Sequence, residues 1–210
     1  MLNVGTGKGY RRPRHLMSAD HYFDATPSAA SAPRTVTLTL PDLTVDLVTD
    51  RGVFSADRID AGTKLLLQEA PHPPTAGDLV DLGCGYGPIA VTLAHRSPDA
   101  KVWAVDVNER ARSLAAANTK TLANVAVADP ADVPSSTRFA ALYSNPPIRI
   151  GKEALQELLT DWLPRCDVAY LVINKNLGSD SLSRWMGAAH GWKVDRLVSR
   201  VGYRILKVTP

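Results

Sequence analysis

The sequence predicts an α/β protein with a doubly wound, mostly parallel sheet, preceded by a small β-hairpin. Three observations carry that expectation. From residue 78 onward, short continuous apolar runs alternate with segments of helical period, the pattern of parallel strands covered on both faces. The first of these runs, DLVDLG, leads directly into a glycine-rich turn and then a helical segment. The last two, WKVDRLVSR and YRILKV, have no helical segment between them, so they pair as a hairpin and one of them runs antiparallel to the rest.

Residues 1–33 hold GTGKG, a basic cluster and ATPSAASAP, a composition that buries little apolar area and reads as a flexible tail. Met17 offers a second starting point, with the basic stretch before it as an appendage. The folded unit is expected over 34–210. RTVTLTL and TVDLV alternate polar and apolar residues on either side of Pro41-Asp42, which is a hairpin signal. Asp60 stands where an N-cap would open a helix over about 61–70. In the core, 78–210, the expected strands are DLVDLG, AKVWAVDV, NVAVAD, RFAALYSN and CDVAYLVIN, followed by the terminal pair. The expected helices are GPIAVTLAHRS, NERARSLAAANTKTL, KEALQELLTDWL and SDSLSRWMGAAH.

Composition narrows the class of function. A chain of 210 residues with 45% hydrophobic content suits one domain. No apolar run approaches the ~18 residues of a membrane-spanning helix. The N-terminal charges have no apolar core behind them, which argues against a secretory signal. Two cysteines, Cys84 and Cys166, do not make a disulfide framework, and a cytoplasmic protein is expected. The five histidines show no metal-ligand spacing, so no metal is expected. The net charge of +3 conceals an asymmetry: residues 1–16 carry +4, 17–144 carry −5 and 145–210 carry +4. Basic ends suit a polyanionic partner, and a merely solvated basic face is the plainer alternative.

The strongest motif is VDLGCGYGP at 80–88, placed at the first strand-to-helix turn. Gly83, Gly85 and Gly87 let the backbone approach a ligand closely. Their spacing differs from the dinucleotide pattern G-x-G-x-x-G. Asp81 precedes them, Asp106 ends the second core strand in AVDVN, and Asp129 ends the third in VAVAD. An acid at the second strand end can accept hydrogen bonds from ribose hydroxyls, and one at the third can take an adenine amino group. Asp81 beside the turn would repel a phosphate and suits a cationic amino group. Each Asp alone can also be a helix cap.

With these residues in view, the chain resembles the class I S-adenosylmethionine-dependent methyltransferases over roughly 34–210. The resemblance implies a Rossmann-like, mostly parallel seven-stranded sheet with an antiparallel C-terminal strand. It implies S-adenosyl-L-methionine as cofactor, leaving as S-adenosyl-L-homocysteine. It carries cofactor-binding roles onto Asp81, Gly83, Cys84, Gly85, Gly87, Asp106, Val107 and Asp129. It also places SNPP, at 144–147, beside the donor methyl. Methyltransferases with Asn-Pro-Pro there act on planar nitrogens. Two acceptors, the Asn145 side-chain carbonyl and the Pro146 backbone carbonyl, bind the two amine protons and aim the lone pair at the methyl. The plain alternative for Asn-Pro-Pro is a strand stop.

GVFSADRIDAGTKLLL, SNPPIRIGKEAL, NKNLGSDSL and VGYRILKV together resemble the small-domain methyltransferases related to bacterial small-subunit ribosomal RNA guanine-N2 methyltransferases. That resemblance implies an RNA partner, ribosomal RNA or the small ribosomal subunit. Many relatives carry Phe or Tyr after the two prolines, where this chain has Ile148. Base stacking then falls to Phe54 or Tyr203. Pro147, Ile148, Arg149, Lys152, Lys175 and Phe54 are the expected substrate-side residues, with Arg204 as a further cation. A protein glutamine amide, or an adenine or cytosine amine, is the alternative substrate. A nicotinamide-dependent oxidoreductase and a non-catalytic nucleotide-binding module are the readings from other classes.

Overall fold

A computed structural model describes residues 30–210. The tail expected over 1–33 therefore lies outside the described residues up to 29. Its last part is tied to the domain: the Ser31 hydroxyl donates to Asp50 at 2.7 Å and the Ala32 N–H to the same carboxylate at 2.5 Å.

Two strands open the fold, β1 (Arg34–Thr39) and β2 (Thr44–Thr49), paired antiparallel from Arg34–Thr49 to Thr39–Thr44. Alternation puts Val36, Leu38 and Leu47 on a buried face. The other edge of β2 is capped by a side chain. Asn118 accepts from Val48 N–H and donates to Val48 C=O, both at 2.8 Å, so its amide mimics a neighbouring strand. Helix α1 (Ala61–Glu69) follows, with Asp60 as N-cap accepting from Thr63 N–H at 3.0 Å.

The core alternates strand and helix as the sequence predicts: β3 (Asp78–Leu82), α2 (Pro88–Arg96), β4 (Lys101–Val105), α3 (Glu109–Thr119), β5 (Val125–Ala128), β6 (Ala141–Ser144), α4 (Lys152–Trp162), β7 (Ala169–Asn174) and α5 (Ser179–His190). The closing hairpin is β8 (Lys193–Arg200) and β9 (Tyr203–Thr209). The seven-stranded sheet has the order β5-β4-β3-β6-β7-β9-β8. Strands β3 to β7 pair parallel, and β9 inserts antiparallel between β7 and β8. The expected class I methyltransferase sheet is thus the one observed.

The pleat divides the core in two. Leu79, Ala141, Tyr143, Tyr170 and Val172 face α1, α2, α3 and the N-terminal hairpin. Val80, Leu82, Leu142, Leu171 and Ile173 face α4 and α5, against Leu159, Trp162 and Met186. Because β3 runs on to β4 on one side and its neighbour β6 runs on to β7 on the other, the connections leave these two adjacent strands in opposite directions. That reversal opens a crevice at the carboxyl ends of these strands, where ligands bind in open α/β sheets.

Arg96, at the end of α2, fastens the N-terminal hairpin to this core. It grips Asp42 through two hydrogen bonds of 2.7 and 2.8 Å and donates to Leu67 C=O at 2.8 Å. That grip lowers the Asp42 carboxyl from 3.8 to about 2. Its stabilising contribution is complete above the unfolded value and is lost as pH falls through the folded one. Arg96→Ala should therefore cost about 2 kcal/mol near neutral pH, since it breaks a bidentate pair and strands a carbonyl. In urea unfolding, the gap between variant and wild type should narrow as pH drops from about 4 to 2. A gap independent of pH over that range would remove the ion pair from the account.

Candidate active site

The crevice is walled by the glycine turn after β3, the ends of β4 and β6, the segment after β7, and the start of β9. Its lining includes Phe54, Asp60, Gly83, Gly85, Asp106, Val107, Asn145, Pro146, Pro147, Ile148, Arg149, Asn174, Leu177 and Tyr203. Eleven of these are residues the sequence reading places at the cofactor or the substrate.

The glycine turn is latched to the end of β4. Gly83 N–H and Cys84 N–H both donate to Val105 C=O, at 2.8 and 3.0 Å, and Gly85 N–H donates to Asp106 at 2.8 Å. Such a path needs backbone at positive φ: Gly83 at 75° and Gly85 at 55°. A Cβ at Gly85 would meet nothing within 4 Å, so the turn leaves open space on the crevice side. Gly87, with φ of 92°, caps α2 behind the turn and does not line the crevice.

The three acids at the strand ends differ in placement. Asp106 lines the crevice and accepts from Gly85 and Asn108 N–H groups, the latter at 2.9 Å. Burial raises its carboxyl above the usual carboxylate value, against the backbone hydrogen bonds that lower it. Asp129 stands off the crevice, capping the turn that starts at Pro130 and pairing with Arg112 at 3.1 Å. Asp81 is fully buried and also stands off the crevice wall. Unsatisfied N–H groups at the start of α2 draw its carboxylate, and Ala90 N–H donates to one oxygen at 2.9 Å. The other oxygen has no partner, and burial raises this carboxyl well above the usual carboxylate value. Cys84 is buried, and its thiol is turned to Gly85 C=O at 3.5 Å.

The Asn-Pro-Pro stretch begins where Ser144 ties β6 to β3, its hydroxyl donating to Leu82 C=O at 2.6 Å. Asn145 follows, with its NH2 turned toward the start of α1, donating to Asp60, itself on the crevice lining, at 2.7 Å and to the Thr63 hydroxyl at 3.0 Å. Pro146 C=O accepts from Ile148 N–H at 2.8 Å, which leaves the carbonyl one further lone pair. Ile148–Ile150 form a single 3-10 turn, and Gly151 leads into α4. So the two prolines do stop the strand, and they also hold a side-chain amide and a carbonyl at the crevice.

On the substrate side, Phe54, Ile148 and Tyr203 share the crevice, as does exposed Arg149. Lys152 lines an adjoining smaller cavity that shares Ile148 and Leu177 with the crevice. The side chains of Arg149 and Lys152 have no hydrogen bond or ion pair among the described residues. Lys175 follows β7 outside the crevice lining, its N–H donating to Gly202 C=O at 2.8 Å. Arg204 is occupied by Asp180 and Ser179. Sequence reading missed Asp60 and Asn174 as crevice residues. Asp60 is absorbed in sequence by its capping role, and Asn174 sits beside the lysine that drew attention in NKNLG.

The family model for the methyltransferase small domain matches residues 44–207. The uncharacterized protein YbxB of Bacillus subtilis (strain 168) is 32% identical, over 90% of this chain and 98% of that one. Ribosomal RNA small subunit methyltransferase C of Stutzerimonas stutzeri (strain A1501) is 32% identical, over 94% of this chain and 64% of that one. Its Shewanella sediminis (strain HAW-EB3) counterpart is 35% identical over 63% of this chain, which spans 41% of that sequence. Among solved structures, the T. Thermophilus 16S rRNA N2 methyltransferase in complex with AdoMet and guanosine superposes with a TM-score of 0.69. It shares 21% identity, over 87% of this chain and 52% of that one, and at that identity the likeness concerns the fold.

The buried, half-satisfied carboxyl of Asp81 sets up a test of its own. A raised folded pKa makes wild-type stability fall as pH rises from the unfolded value through the folded one. Asp81→Asn keeps an acceptor for Ala90 N–H and has no charge to bury. Its stability relative to wild type should therefore grow as pH rises above the unfolded carboxyl value of about 4. Urea titrations at several pH values check this. A constant difference would mean that the carboxyl ionises in the fold as freely as in the unfolded chain.

Proposed function

Because the chain belongs to the methyltransferase small-domain family, we propose that it is an S-adenosylmethionine-dependent N-methyltransferase. Its substrate on this reading is an exocyclic base amine of RNA, guanine N2 of small-subunit ribosomal RNA. The observation that carries the reading is the placement of the Asn145 amide and the Pro146 carbonyl in one crevice with Gly83, Gly85, Asp106 and Val107.

The residues fit the donor. The open space at Gly85, which a side chain would fill, admits the body of the cofactor against backbone. Asp106 has spare lone pairs for ribose hydroxyls beyond its bonds to backbone N–H groups, and Val107 offers an apolar face beside it. The bound cofactor supplies an electrophilic methyl on a sulfonium. Asp81 and Asp129 act from behind the wall, Asp81 on the start of α2 and Asp129 on Arg112.

The rest is the work of the chain. An amine conjugated with a base ring is planar and a poor nucleophile. The Asn145 carbonyl accepts one of its protons, and the remaining lone pair of Pro146 C=O accepts the other. Held this way, the nitrogen becomes pyramidal and its lone pair is aimed, and orientation of this kind is a large share of such catalysis. As the new N–C bond forms, the methyl's bond to sulfur would break to leave the neutral thioether, and the nitrogen, then cationic, sheds a proton to solvent. Phe54 and Tyr203 provide the flat faces that Ile148 does not. Arg149 and Lys152, exposed and without internal partners, are available for backbone phosphates. Relatives named for small-subunit ribosomal RNA support this substrate over a protein amide.

Nucleoside mapping by mass spectrometry, on ribosomal RNA from cells with and without the gene, should show one N2-methylguanosine lost. Loss of a methylated adenine or cytosine instead would redirect the substrate. Asn145→Ala should lower the single-turnover rate about a hundredfold, the scale for losing one positioned electrostatic partner. RNA affinity should hold, and a wild-type rate would refute the role. Arg149→Ala with Lys152→Ala should weaken RNA binding and lower its logarithmic salt slope by about 2. An unchanged slope would place the phosphates elsewhere.

A further inference from the structure

We infer that Asp60 is a positioning residue, which together with Thr63 sets which end of the Asn145 amide faces the substrate. The inference deepens the N-methyltransferase reading and rests on it for its catalytic consequence. Asn145 is useful to an amine only through its carbonyl oxygen, since its NH2 would meet the amine donor to donor. The two ends of an amide have nearly the same shape, so packing alone does not choose between them. Charge does. A carboxylate only accepts, and Asp60 stands 2.7 Å from the Asn145 nitrogen. A flipped amide would set a carbonyl oxygen against that carboxylate and lose both N–H bonds. Thr63, nearly inaccessible at 4% exposure, takes the second N–H through its hydroxyl at 3.0 Å. Both donors are thereby consumed on the α1 side, and the carbonyl is left for the crevice.

The clamp itself is held firmly. The Asp60 oxygen that binds Asn145 also caps α1 by accepting from Thr63 N–H at 3.0 Å, so its position follows that of the helix. Gly62 closes the arrangement. A Cβ there would lie 2.6 Å from the Tyr203 ring and 3.0 Å from the Asp60 carboxylate. Absence of a side chain at 62 lets the ring of a crevice residue pack over the first turn of α1. The three residues come from DAGT at 60–63, upstream of the core, and act on a loop at the far side of the sequence.

The test is a charge-exchange cycle read in single-turnover methyl transfer to a transcript of small-subunit ribosomal RNA. Asp60→Asn keeps an N-cap, so α1 and the thermal midpoint should be preserved. It allows the Asn145 amide to turn over, and the rate should fall about tenfold or more with RNA and S-adenosylmethionine affinities unchanged. Asn145→Asp alone sets two carboxylates against each other and should also be slow. Combining the two variants gives the introduced amide at 60 a carboxylate to donate to, whose other oxygen faces the crevice. The double variant should be faster than either single one. Additive losses in the cycle, or a wild-type rate for Asp60→Asn, would overturn the clamp.

A second readout needs no substrate. The Asn145 side-chain amide protons, identified by their disappearance in Asn145→Asp, should resonate downfield and exchange slowly in wild type. Both properties should be lost in Asp60→Asn, and their persistence would also overturn the clamp. A wild-type protein that leaves the transcript unmethylated refutes the proposed function, and these resonances then decide the clamp by themselves.

Discussion

The carbonyl of Val105 accepts two successive N–H groups of the glycine turn, and the next residue, Asp106, accepts a third. Everything at the crevice depends on this latch. It joins the end of β4 to the turn after β3, the strand that borders the point where the sheet changes direction. Without it, a stretch containing three glycines would have many accessible paths, each at some entropic advantage over the observed one. With it, the turn keeps its open side toward the crevice, and Asp106 is immobilised while still offering lone pairs.

A second set of constraints comes from outside the core. Residues 30–70 form a hairpin and helix that wrap the face carrying α2 and α3. Arg96 holds the hairpin turn, Asn118 closes the edge of β2 and reaches Tyr86 C=O at 2.8 Å, and Asn108 donates to Gly52 C=O at 3.0 Å. The contacts of Asn118 and Asn108 fall on the turn after β3 and on the start of α3, so the N-terminal unit braces the crevice rather than merely decorating it. Asp60 and Thr63 belong to the same unit, and through them it reaches Asn145.

Burial gives the site its electrostatic character. Asp81 is taken out of water and Asp106 is partly buried at the crevice, and desolvation raises both carboxyls. Hydrogen bonds from Gly85 and Asn108 offset part of that cost for Asp106, whereas Asp81 keeps one oxygen unsatisfied. Of these two acids only Asp106 reaches the crevice lining, whereas the exposed cations Arg149 and Lys152 stand on the crevice and on the smaller cavity beside it.

Sequence by itself determined the order of strands and helices, because apolar period and turn chemistry are local properties. The terminal hairpin and the glycine turn were legible for the same reason, as were Asp106 and Asn145, which stand at strand ends that a doubly wound sheet brings together. Tertiary structure decided what each side chain does there. Asp81 reads as a crevice acid from its place before the glycines, yet the start of α2 attracts its carboxylate away. Arg204 reads as an available cation and is taken up by Asp180. Asp60 reads as a helix cap and is also the partner of Asn145, across 85 positions of chain. No pattern in the sequence encodes that meeting, because a hydrogen bond depends on distance in space and direction. Those are settled only when the hairpin and α1 pack against the sheet.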